Sequence, residues 1–295
     1  MKILITGGSG LLGEFLNKKL IQNHELLLGY NSNNIRNNIS NSVKLNIGNS
    51  DELKNVFNSF KPDIVIHTAA YSRPEICDIV PREEVIKINV TATERIAELC
   101  ERNKCKMIFT STDLVYDGTQ GQMLKEDAKL NPISLYAESK HEAEQRIINV
   151  FDNYIILRTS LLYGIGSSES VNNFHKMYIN FTKGKPVKLF FDQFRTPLSL
   201  IDAAELISGM IDKNIKGEIL NFGGKERVSR VELGEMLCKI GGFDKSLIER
   251  ISMDDVPGLH KVSDVSLNTD KLKSYGLNPK SIEESIIEII KSHNG

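Results

Sequence analysis

Residues 2–23, KILITGGSGLLGEFLNKKLIQN, place a glycine-rich turn directly between an apolar strand pattern and a helical pattern. Gly7, Gly10 and Gly13 would let backbone amides approach a pyrophosphate without obstruction by a Cβ atom, and the helix N-terminus would add partial positive charge. The spacing is GxxGxxG and not GxGxxG, so a tight strand–helix turn without a ligand is the alternative. Because the turn opens a repeating β/α pattern, we interpret it as a dinucleotide site.

Apolar strand patterns alternate with helical patterns through the first half of the chain. Strands are predicted at 2–6, 25–30, 63–70, 106–112 and 154–160, and helices at 11–23 and 81–103. Near-continuous apolar strands between amphipathic helices predict an α/β fold with a doubly wound parallel sheet, the Rossmann arrangement.

The pattern becomes irregular after residue 160. The run 196–211 predicts a return to the sheet and its covering helix, and helical segments follow near 230–240 and 280–292. We expect a dinucleotide-binding domain at 1–162 with a return segment at about 196–222. A smaller, discontinuous C-terminal substrate lobe is expected at 163–195 and 223–295.

Composition bounds the class of protein. The 295 residues are 40% hydrophobic and 25% charged, and the formal net charge is −1. Such a charge exerts no long-range attraction on nucleic acid or anionic membranes, so we expect neither as a partner. No apolar run approaches the roughly 18 residues of a membrane span, and the N-terminal apolar stretch is too short for a secretory signal. The four cysteines lack CxxC spacing and the six histidines lack HExxH, so we expect no metal and reduced thiols in a cytoplasmic protein.

The end of the second predicted strand bears on cofactor choice. Tyr30, Asn31 and Ser32 follow it, with Arg36 a few residues on and no acidic side chain nearby. A carboxylate there would bind the 2′-hydroxyl of NAD and repel the 2′-phosphate of NADP. We therefore predict NADP, with NAD as the second choice and Arg36 as a solvated loop residue as the alternative.

Tyr136 and Lys140 lie four residues apart and would share one helix face. A nearby ammonium lowers the pKa of a tyrosine from its usual value near ~10, and the phenol could then donate a proton to a carbonyl that accepts hydride. The lysine could also hold the nicotinamide ribose. The segment TSTD (110–113) adds a hydroxyl at a strand end. A YxxxK pair alone is typical of a helix surface, but together with the hydroxyl and the glycine turn it favours catalysis.

These residues resemble the extended short-chain dehydrogenase/reductase family. The resemblance rests on TGGSGLLG (6–13), PDIVIHTAAY (62–71), STDLVYDG (111–118), YAESK (136–140) and LRTSLLYG (157–164). Within the family the motifs are most similar to the dTDP-4-dehydrorhamnose reductase branch. That resemblance implies reduction of a 4-keto nucleotide-sugar, with Thr112 as the catalytic hydroxyl, Tyr136 as the general acid and Lys140 as its partner.

The resemblance also implies the contacts of cofactor and substrate. The implied cofactor contacts are Gly7, Ser9, Gly10, Leu11 and Leu12 at the pyrophosphate, Asn46 and Ile47 at the adenine, Ala69, Ala70 and Tyr71 at the ribose, and Thr159 and Ser160 near the nicotinamide. Thr112 is the implied substrate contact, and Arg73 and Arg195 are further candidates for binding a substrate phosphate, because a guanidinium group matches phosphate bidentately.

Departures from the family pattern leave the sugar open. Leu161 stands where sugar-nucleotide epimerases and dehydratases usually carry asparagine, which argues against those chemistries. Leu114 stands where the reductases carry tyrosine, and Arg73 and Arg195 also depart from their pattern. The sequence is similar as well to the regulatory β subunit of methionine adenosyltransferase, around RPE (73–75) and LNPISLYAESK (130–140). A non-catalytic, NADP-binding subunit is thus the second hypothesis, and an epimerase or dehydratase with tightly held NAD is the third.

Three further residues are interpreted without a catalytic role. We expect His67 to be a core or strand-end histidine and Arg158 to be structural. Cys77 lies near the expected pocket, but nothing in the sequence activates it. The outer face of helix 81–103 is either a homodimer interface or a solvated surface.

Overall fold

The computed structural model describes residues 1–32, 41–166 and 172–294. Its strands are β1 (Lys2–Thr6), β2 (Glu25–Tyr30), β3 (Ser42–Lys44), β4 (Ile64–His67), β5 (Lys106–Thr112), β6 (Tyr154–Thr159), β7 (Leu162–Tyr163), β8 (Val187–Phe190), β9 (Phe194–Arg195), β10 (Leu198–Ser199), β11 (Glu218–Phe222), β12 (Val228–Ser229) and β13 (Ile248–Ile251). Its helices are α1 (Leu11–Leu20), α2 (Ser50–Phe60), α3 (Pro74–Cys77), α4 (Arg82–Ile86), α5 (Ala92–Asn103), α6 (Leu135–Val150), α7 (Asn173–Thr182), α8 (Leu200–Ile211), α9 (Arg230–Gly241), α10 (Asp270–Ser274) and α11 (Ile282–Asn294).

Seven strands form the main sheet in the order β11-β6-β5-β4-β1-β2-β3. Strand β1 pairs in parallel with β2 and with β4, so that Thr6 lies opposite Gly29 on one side and His67 on the other. The strand order reverses between β1 and β4, which is the switch point where open α/β sheets bind ligands outside their carboxyl ends. The Rossmann-like α/β fold predicted from the sequence is confirmed.

The main sheet is covered by helices whose apolar side chains meet those of the strands. Leu4, Val65, Met107 and Ile156 of the strands pack with residues of α2, α5 and α6 in one buried cluster. Strands that are buried on both faces read as continuous apolar runs. This burial explains why the strand patterns were visible in the sequence.

The chain forms two compact units. The first unit comprises Met1–Val115, Pro132–Arg158 and Ile207–Leu220, and it carries most of the main sheet. The second comprises Tyr116–Asn131, Thr159–Leu206 and Asn221–Gly295. Within the second unit, Leu124 bridges to Leu267 and the backbone of Asn268 donates to Leu124, which ties the segment after β5 to the C-terminal part of the chain. The assignment of cofactor and substrate to separate domains stays a prediction.

The described residues of the second unit form three two-stranded sheets, β7 with β10, β9 with β12, and β8 with β13. Its core is a cluster of apolar side chains from α7, α9 and α11 that includes Phe174, Met177, Leu233, Leu237 and Ile286. Helix α9 begins with a capping box, because Ser229 accepts from the N–H of Glu232 and the Glu232 carboxylate accepts from the N–H of Ser229.

Several predicted boundaries differ from the structure. Strand β4 ends at His67, and the predicted helix 81–103 is α4 and α5 joined by a π-helical turn at Lys87–Thr91. The run 196–211 does form a helix, α8, but its short strand β10 pairs with β7 and not with the main sheet. Pro197 has no N–H to donate to a ladder, and the main sheet is instead rejoined by β11.

Candidate active site

The glycine turn between β1 and α1 is built by close backbone approach. Gly7 has φ +73, and a Cβ there would lie 2.8 Å from both the amide nitrogen of Ala69 and the hydroxyl oxygen of Thr68. A Cβ on Gly13 would lie 2.5 Å from the carbonyl oxygen of Gly7. Only glycine therefore lets α1 start so close to the ends of β1 and β4.

The start of α1 suits an anionic ligand. Gly10 is the N-cap residue, and no side chain of the described residues caps the helix there. The first N–H groups of a helix have no intrahelical acceptor and carry partial positive charge. Ser9 and Leu11 beside this turn are half-buried and Leu12 is buried. The turn thus fits the pyrophosphate of a dinucleotide.

The residues predicted to bind the adenine, the 2′-phosphate and the ribose of the cofactor lie after β2, β3 and β4. Asn31 and Ser32 directly follow β2 and are exposed, whereas Arg36 lies outside the described residues. Asn46 is exposed, and its side-chain oxygen accepts from the N–H of Gly48 at 3.0 Å. Ile47 is buried. Ala69, Ala70 and Tyr71 follow β4 and are half-buried.

Thr112 ends β5, and its side chain is buried. Its hydroxyl oxygen accepts from the N–H of Leu114 at 3.2 Å, and the hydroxyl can donate to a carboxylate oxygen of Asp113 at 3.4 Å. Helix α6 begins at Leu135. Ser134 caps it by accepting a hydrogen bond from the backbone N–H of Ala137. This start places Tyr136 in the first turn, where its phenol interacts with the Thr112 hydroxyl.

Burial raises the pKa of Tyr136 above its ordinary value, and the hydrogen bond with Thr112 partly opposes that rise. The tyrosine packs in a buried cluster with Cys77 and Val85. The sequence-based expectation that Lys140 lowers the pKa of Tyr136 is wrong in direction for this structure. Desolvation of the phenolate outweighs any stabilisation by the neighbouring ammonium.

Lys140 lies one turn after Tyr136 and is only 3% exposed. Its Nζ atom lies 4.1 Å from the centroid of the Phe109 ring. Burial lowers the pKa of Lys140 to about 7, while the Glu144 carboxylate acts to raise it. The lysine therefore changes charge near neutral pH.

His67 at the end of β4 forms hydrogen bonds at both ring nitrogens. The hydroxyl of Thr93 donates to the carbonyl of Asn89 at 2.7 Å, so its oxygen accepts from Nε2 of His67 at 2.9 Å. Nδ1 then accepts from the hydroxyl of Thr6 at 2.6 Å. Burial lowers the pKa of His67 to about 3, which keeps the ring neutral and this tautomer fixed. The interpretation of His67 as a core histidine is confirmed.

Asn89 of the π-helical turn connects this network to α6. Its side-chain oxygen accepts from the N–H of Tyr71 at 2.8 Å, and its amide donates to the carbonyl of Tyr71 at 3.1 Å and to the hydroxyl of Ser139 at 2.9 Å. Ser139 in turn donates to the carbonyl of Tyr136. Asn89 was not predicted from the sequence, although an amide within an apolar helical stretch is a signal for such a role. π-Helical turns are frequent at functional sites.

A second buried network fixes the middle of α6. The Glu144 carboxylate accepts from Nε and Nη2 of Arg158, at 3.2 and 3.0 Å, and from the hydroxyl of Ser111 at 2.5 Å. The structural role expected for Arg158 is confirmed. Glu144 was missed, although a carboxylate four residues after Lys140 and an arginine within an apolar strand are both visible in the sequence.

Two predicted or considered pocket residues lie on α3 and just before it. Arg73 precedes α3 and its side chain is exposed. Cys77 is buried, and burial raises the pKa of its thiol to about 11. That thiol is therefore neutral at physiological pH and a poor nucleophile.

The remaining predicted residues belong to the second unit. These are Thr159, Ser160 and Arg195. Arg195 is buried, and its Nη1 donates to the carbonyls of Phe194 at 2.7 Å and Val262 at 3.3 Å. The side chain is thus fixed within its own unit, and its role toward a substrate stays a prediction.

The described ranges bear on metal binding and on membrane insertion. Within residues 1–32, 41–166 and 172–294, no three His, Cys, Asp or Glu side chains are grouped so that they could hold a metal ion. None of the helices in those ranges is both long and apolar enough to cross a membrane.

A family model described as the RmlD substrate binding domain matches residues 1–294. A dTDP-4-dehydrorhamnose reductase from Aggregatibacter actinomycetemcomitans is 28% identical over 271 residues, which cover 89% of this chain and 84% of that protein. The methionine adenosyltransferase 2 subunit beta of Xenopus tropicalis is also 28% identical, over 291 residues that cover 95% of this chain and 84% of that protein. Sequence similarity alone therefore does not separate these two relatives.

Solved structures show the same fold. The dTDP-4-dehydrorhamnose reductase of Clostridium acetobutylicum superimposes with a TM-score of 0.86 at 27% identity, and 100% of each chain is covered. A Bacillus anthracis dTDP-4-dehydrorhamnose reductase solved with NADP has a TM-score of 0.85 at 22% identity, covering 99% of each chain. The Bordetella bronchiseptica enzyme WbmG solved with NAD also has a TM-score of 0.85 at 22% identity, covering 100% of this chain and 94% of that one. Proteins with this fold thus include binders of either dinucleotide.

Proposed function

The chain belongs to the RmlD substrate binding domain family of extended short-chain dehydrogenase/reductases, and on that premise we propose that it reduces the 4-keto group of a nucleotide-linked sugar with NADPH. One observation carries the proposal. The Thr112 hydroxyl interacts with the Tyr136 phenol beside Lys140, in the first unit, where β5 ends. That is the edge at which parallel sheets bind their ligands.

The residues of this chain would have separate roles in the reaction. The glycine turn and the N-terminus of α1 would hold the pyrophosphate, and the bound dinucleotide would supply hydride to the carbonyl carbon. Thr112 would donate a hydrogen bond to the carbonyl oxygen and orient it. Tyr136 would transfer its proton to that oxygen as the charge develops there.

The raised pKa of Tyr136 sets the protonation state of the phenol before the reaction. A phenol that stays protonated throughout the physiological range is in the form that a proton donor requires. Lys140, one turn away, would stabilise the tyrosinate left behind and hold the nicotinamide ribose. With a pKa of about 7, this lysine is itself able to take part in the return of a proton.

NADP is the dinucleotide that we propose. Asn31 and Ser32 follow β2 with exposed neutral side chains, so no carboxylate at these positions opposes a 2′-phosphate. A role for Arg36 in binding that phosphate is part of the same proposal.

A non-catalytic regulatory role is the second candidate. Its support is the 28% identity to a methionine adenosyltransferase subunit over 95% of this chain. A protein of this kind would bind NADP and a methionine adenosyltransferase but would reduce no sugar. Gel filtration of the purified protein with a methionine adenosyltransferase from its own source, with and without NADPH, tests that candidate.

The reductase proposal is tested by NADPH oxidation with a panel of 4-keto nucleotide-sugars that differ in base and in sugar. We expect turnover with at least one deoxysugar, faster with NADPH than with NADH. Binding of NADPH without oxidation on every sugar, together with a stable complex in the gel-filtration experiment, would replace this proposal with the regulatory one.

A further inference from the structure

We infer that Glu144 is a positioning residue that fixes α6 against β5 and increases the fraction of Lys140 in its ammonium form. The inference deepens the proposed function and rests on it, because in that proposal Lys140 binds the nicotinamide ribose and stabilises the tyrosinate. Glu144 would touch neither cofactor nor substrate. Its effect would pass through Lys140 and through the separation of Tyr136 from Thr112.

The Glu144 carboxylate is fully buried and is held from two strands. Its Oε1 atom accepts from the Ser111 hydroxyl of β5 at 2.5 Å and from Nε of Arg158 in β6 at 3.2 Å. Its Oε2 atom accepts from Nη2 of Arg158 at 3.0 Å. A buried carboxylate bound by a bidentate guanidinium and a hydroxyl has a fixed position. If it moved away from either partner, its charge would be buried without a hydrogen bond or water to compensate it.

Glu144 and its partner Ser111 both lie close along the chain to candidate catalytic residues. Ser111 directly precedes Thr112 on β5, and Glu144 follows Lys140 by one turn of α6. Residues four apart on a helix lie on one face, so Tyr136, Lys140 and Glu144 line the same side of α6. One carboxylate therefore sets how the helix that carries the acid meets the strand that carries the hydroxyl.

Glu144 is also the main group that favours the charged form of Lys140. Burial is the largest influence and lowers the pKa of Lys140 to about 7, and the Glu144 carboxylate is the largest influence that opposes it. The Cys77 thiol acts in the same direction, but its own pKa is raised to about 11, so it carries no charge near neutrality.

Among the described residues, Glu144 and Cys77 are the groups that act to raise the pKa of Lys140. His67 of β4 is neutral, and Phe109 of β5 presents its ring to the ammonium. Arg158 is engaged by the Glu144 carboxylate itself. His141 of α6 lies 3.9 Å from Glu144 and acts to lower the pKa of that carboxyl. Loss of the Glu144 charge would thus leave burial unopposed by any carboxylate of comparable effect.

The direct test is the titration of Lys140 in protein labelled with ¹³C at the lysine ε-carbons. The Lys140 signal is identified by its loss in the Lys140→Met variant and is followed by NMR from pH 5 to pH 10. In the Glu144→Gln variant we expect the pKa of Lys140 to fall by about one unit or more, the shift that loss of a close opposite charge produces. In the control variant Glu142→Gln, which removes an exposed carboxylate two residues away on α6, we expect no change.

A second variant provides the same test if Glu144→Gln does not fold. The double variant Glu144→Gln/Arg158→Gln removes both charges and leaves two amides that can bond to each other. There too we expect a lower pKa for Lys140 than in the parent protein. An unchanged pKa of Lys140 in whichever of the two variants folds would overturn the inference, because the Glu144 carboxylate would then have no effect on the charge of the lysine.

This readout needs no substrate and no turnover. If the protein oxidises NADPH with no 4-keto sugar while the titration shifts as expected, the proposed function fails and the role of Glu144 stands. If it is an active reductase and the titration does not shift, the role of Glu144 fails alone.

Discussion

The ammonium of Lys140 lies over the face of the Phe109 ring, with Nζ 4.1 Å from the ring centroid. An aromatic face attracts a cation, and the attraction is larger where water is excluded. Here it accompanies almost complete burial, which lowers the pKa of the lysine to about 7. The candidate site therefore contains a cation whose charge depends on pH within the physiological range.

Cofactor binding should depend on this charge. Lys140 is an ammonium below pH 7 and a neutral amine above it, so the affinity for NADPH should fall as the pH rises from about 6.5 to 8.5. A hydrogen bond to a charged group is worth about 1.5–3 kcal/mol, which corresponds to roughly tenfold or more in the dissociation constant. Fluorescence titration across this range measures the effect. The Lys140→Arg variant stays charged, so its affinity for NADPH should not change with pH in this range. If the affinity of this variant still falls, the pH dependence belongs to a group other than Lys140.

The glycine turn should not tolerate a methyl group at Gly13. A Cβ there would lie 2.5 Å from the carbonyl oxygen of Gly7 and 2.8 Å from Gly8, both backbone atoms that cannot move aside. We expect Gly13→Ala to reduce the free energy of unfolding by about 1–3 kcal/mol and to weaken NADPH binding. In the comparison variant Gly10→Ala, the Cβ would approach the Gly7 oxygen at 3.1 Å and, apart from its chain neighbours, no other described atom within 4 Å. This variant should lose less stability and less NADPH affinity than Gly13→Ala. Urea unfolding measures the stability of both variants, and equal stability of the parent and Gly13→Ala would refute the close approach.

A carboxylate after β2 should reverse the preference between dinucleotides. Asn31 is exposed directly beyond the end of β2, and in Asn31→Asp a negative charge would stand close to the 2′-phosphate. Two like charges at about 4 Å repel by on the order of 1–4 kcal/mol near a protein surface. We expect the affinity for NADPH to fall at least about tenfold relative to that for NADH. The Asn31→Ala variant removes the amide without adding charge and should change the ratio less. A ratio unaltered by Asn31→Asp would speak against the proposed NADP site.

The elements that the sequence predicted well are those whose pattern is local. The bounds of β2 and β5 match their predicted ranges because both strands are short, apolar and covered on their inner faces. Strand β3 has only the residues Ser42–Lys44, none of them buried, and a pattern of three largely exposed residues carries no signal. Helix α2 was also not predicted, although Asn49 caps it with two backbone contacts.

The parts of the candidate site that were missed depend on contacts between distant segments. Asn89 forms hydrogen bonds with Tyr71 and Ser139, which lie 18 and 50 residues away along the chain. Glu144 meets Ser111, which lies 33 residues away. The pKa of Tyr136 was predicted in the wrong direction because it is set by burial beside Cys77 and Val85. The spacing of two residues on one helix does not contain that information.

The central claim is that Tyr136 is the acid of an NADPH-dependent reduction, and the Tyr136→Phe variant tests it most directly. The measurement is the rate of NADPH oxidation with the best 4-keto nucleotide-sugar of the panel, beside the dissociation constant for NADPH by fluorescence. The account predicts that the variant loses about 10²–10⁴-fold in turnover, the usual contribution of a general acid, and binds NADPH within a few-fold of the parent. A Tyr136→Phe variant that keeps most of the parent's turnover would contradict it.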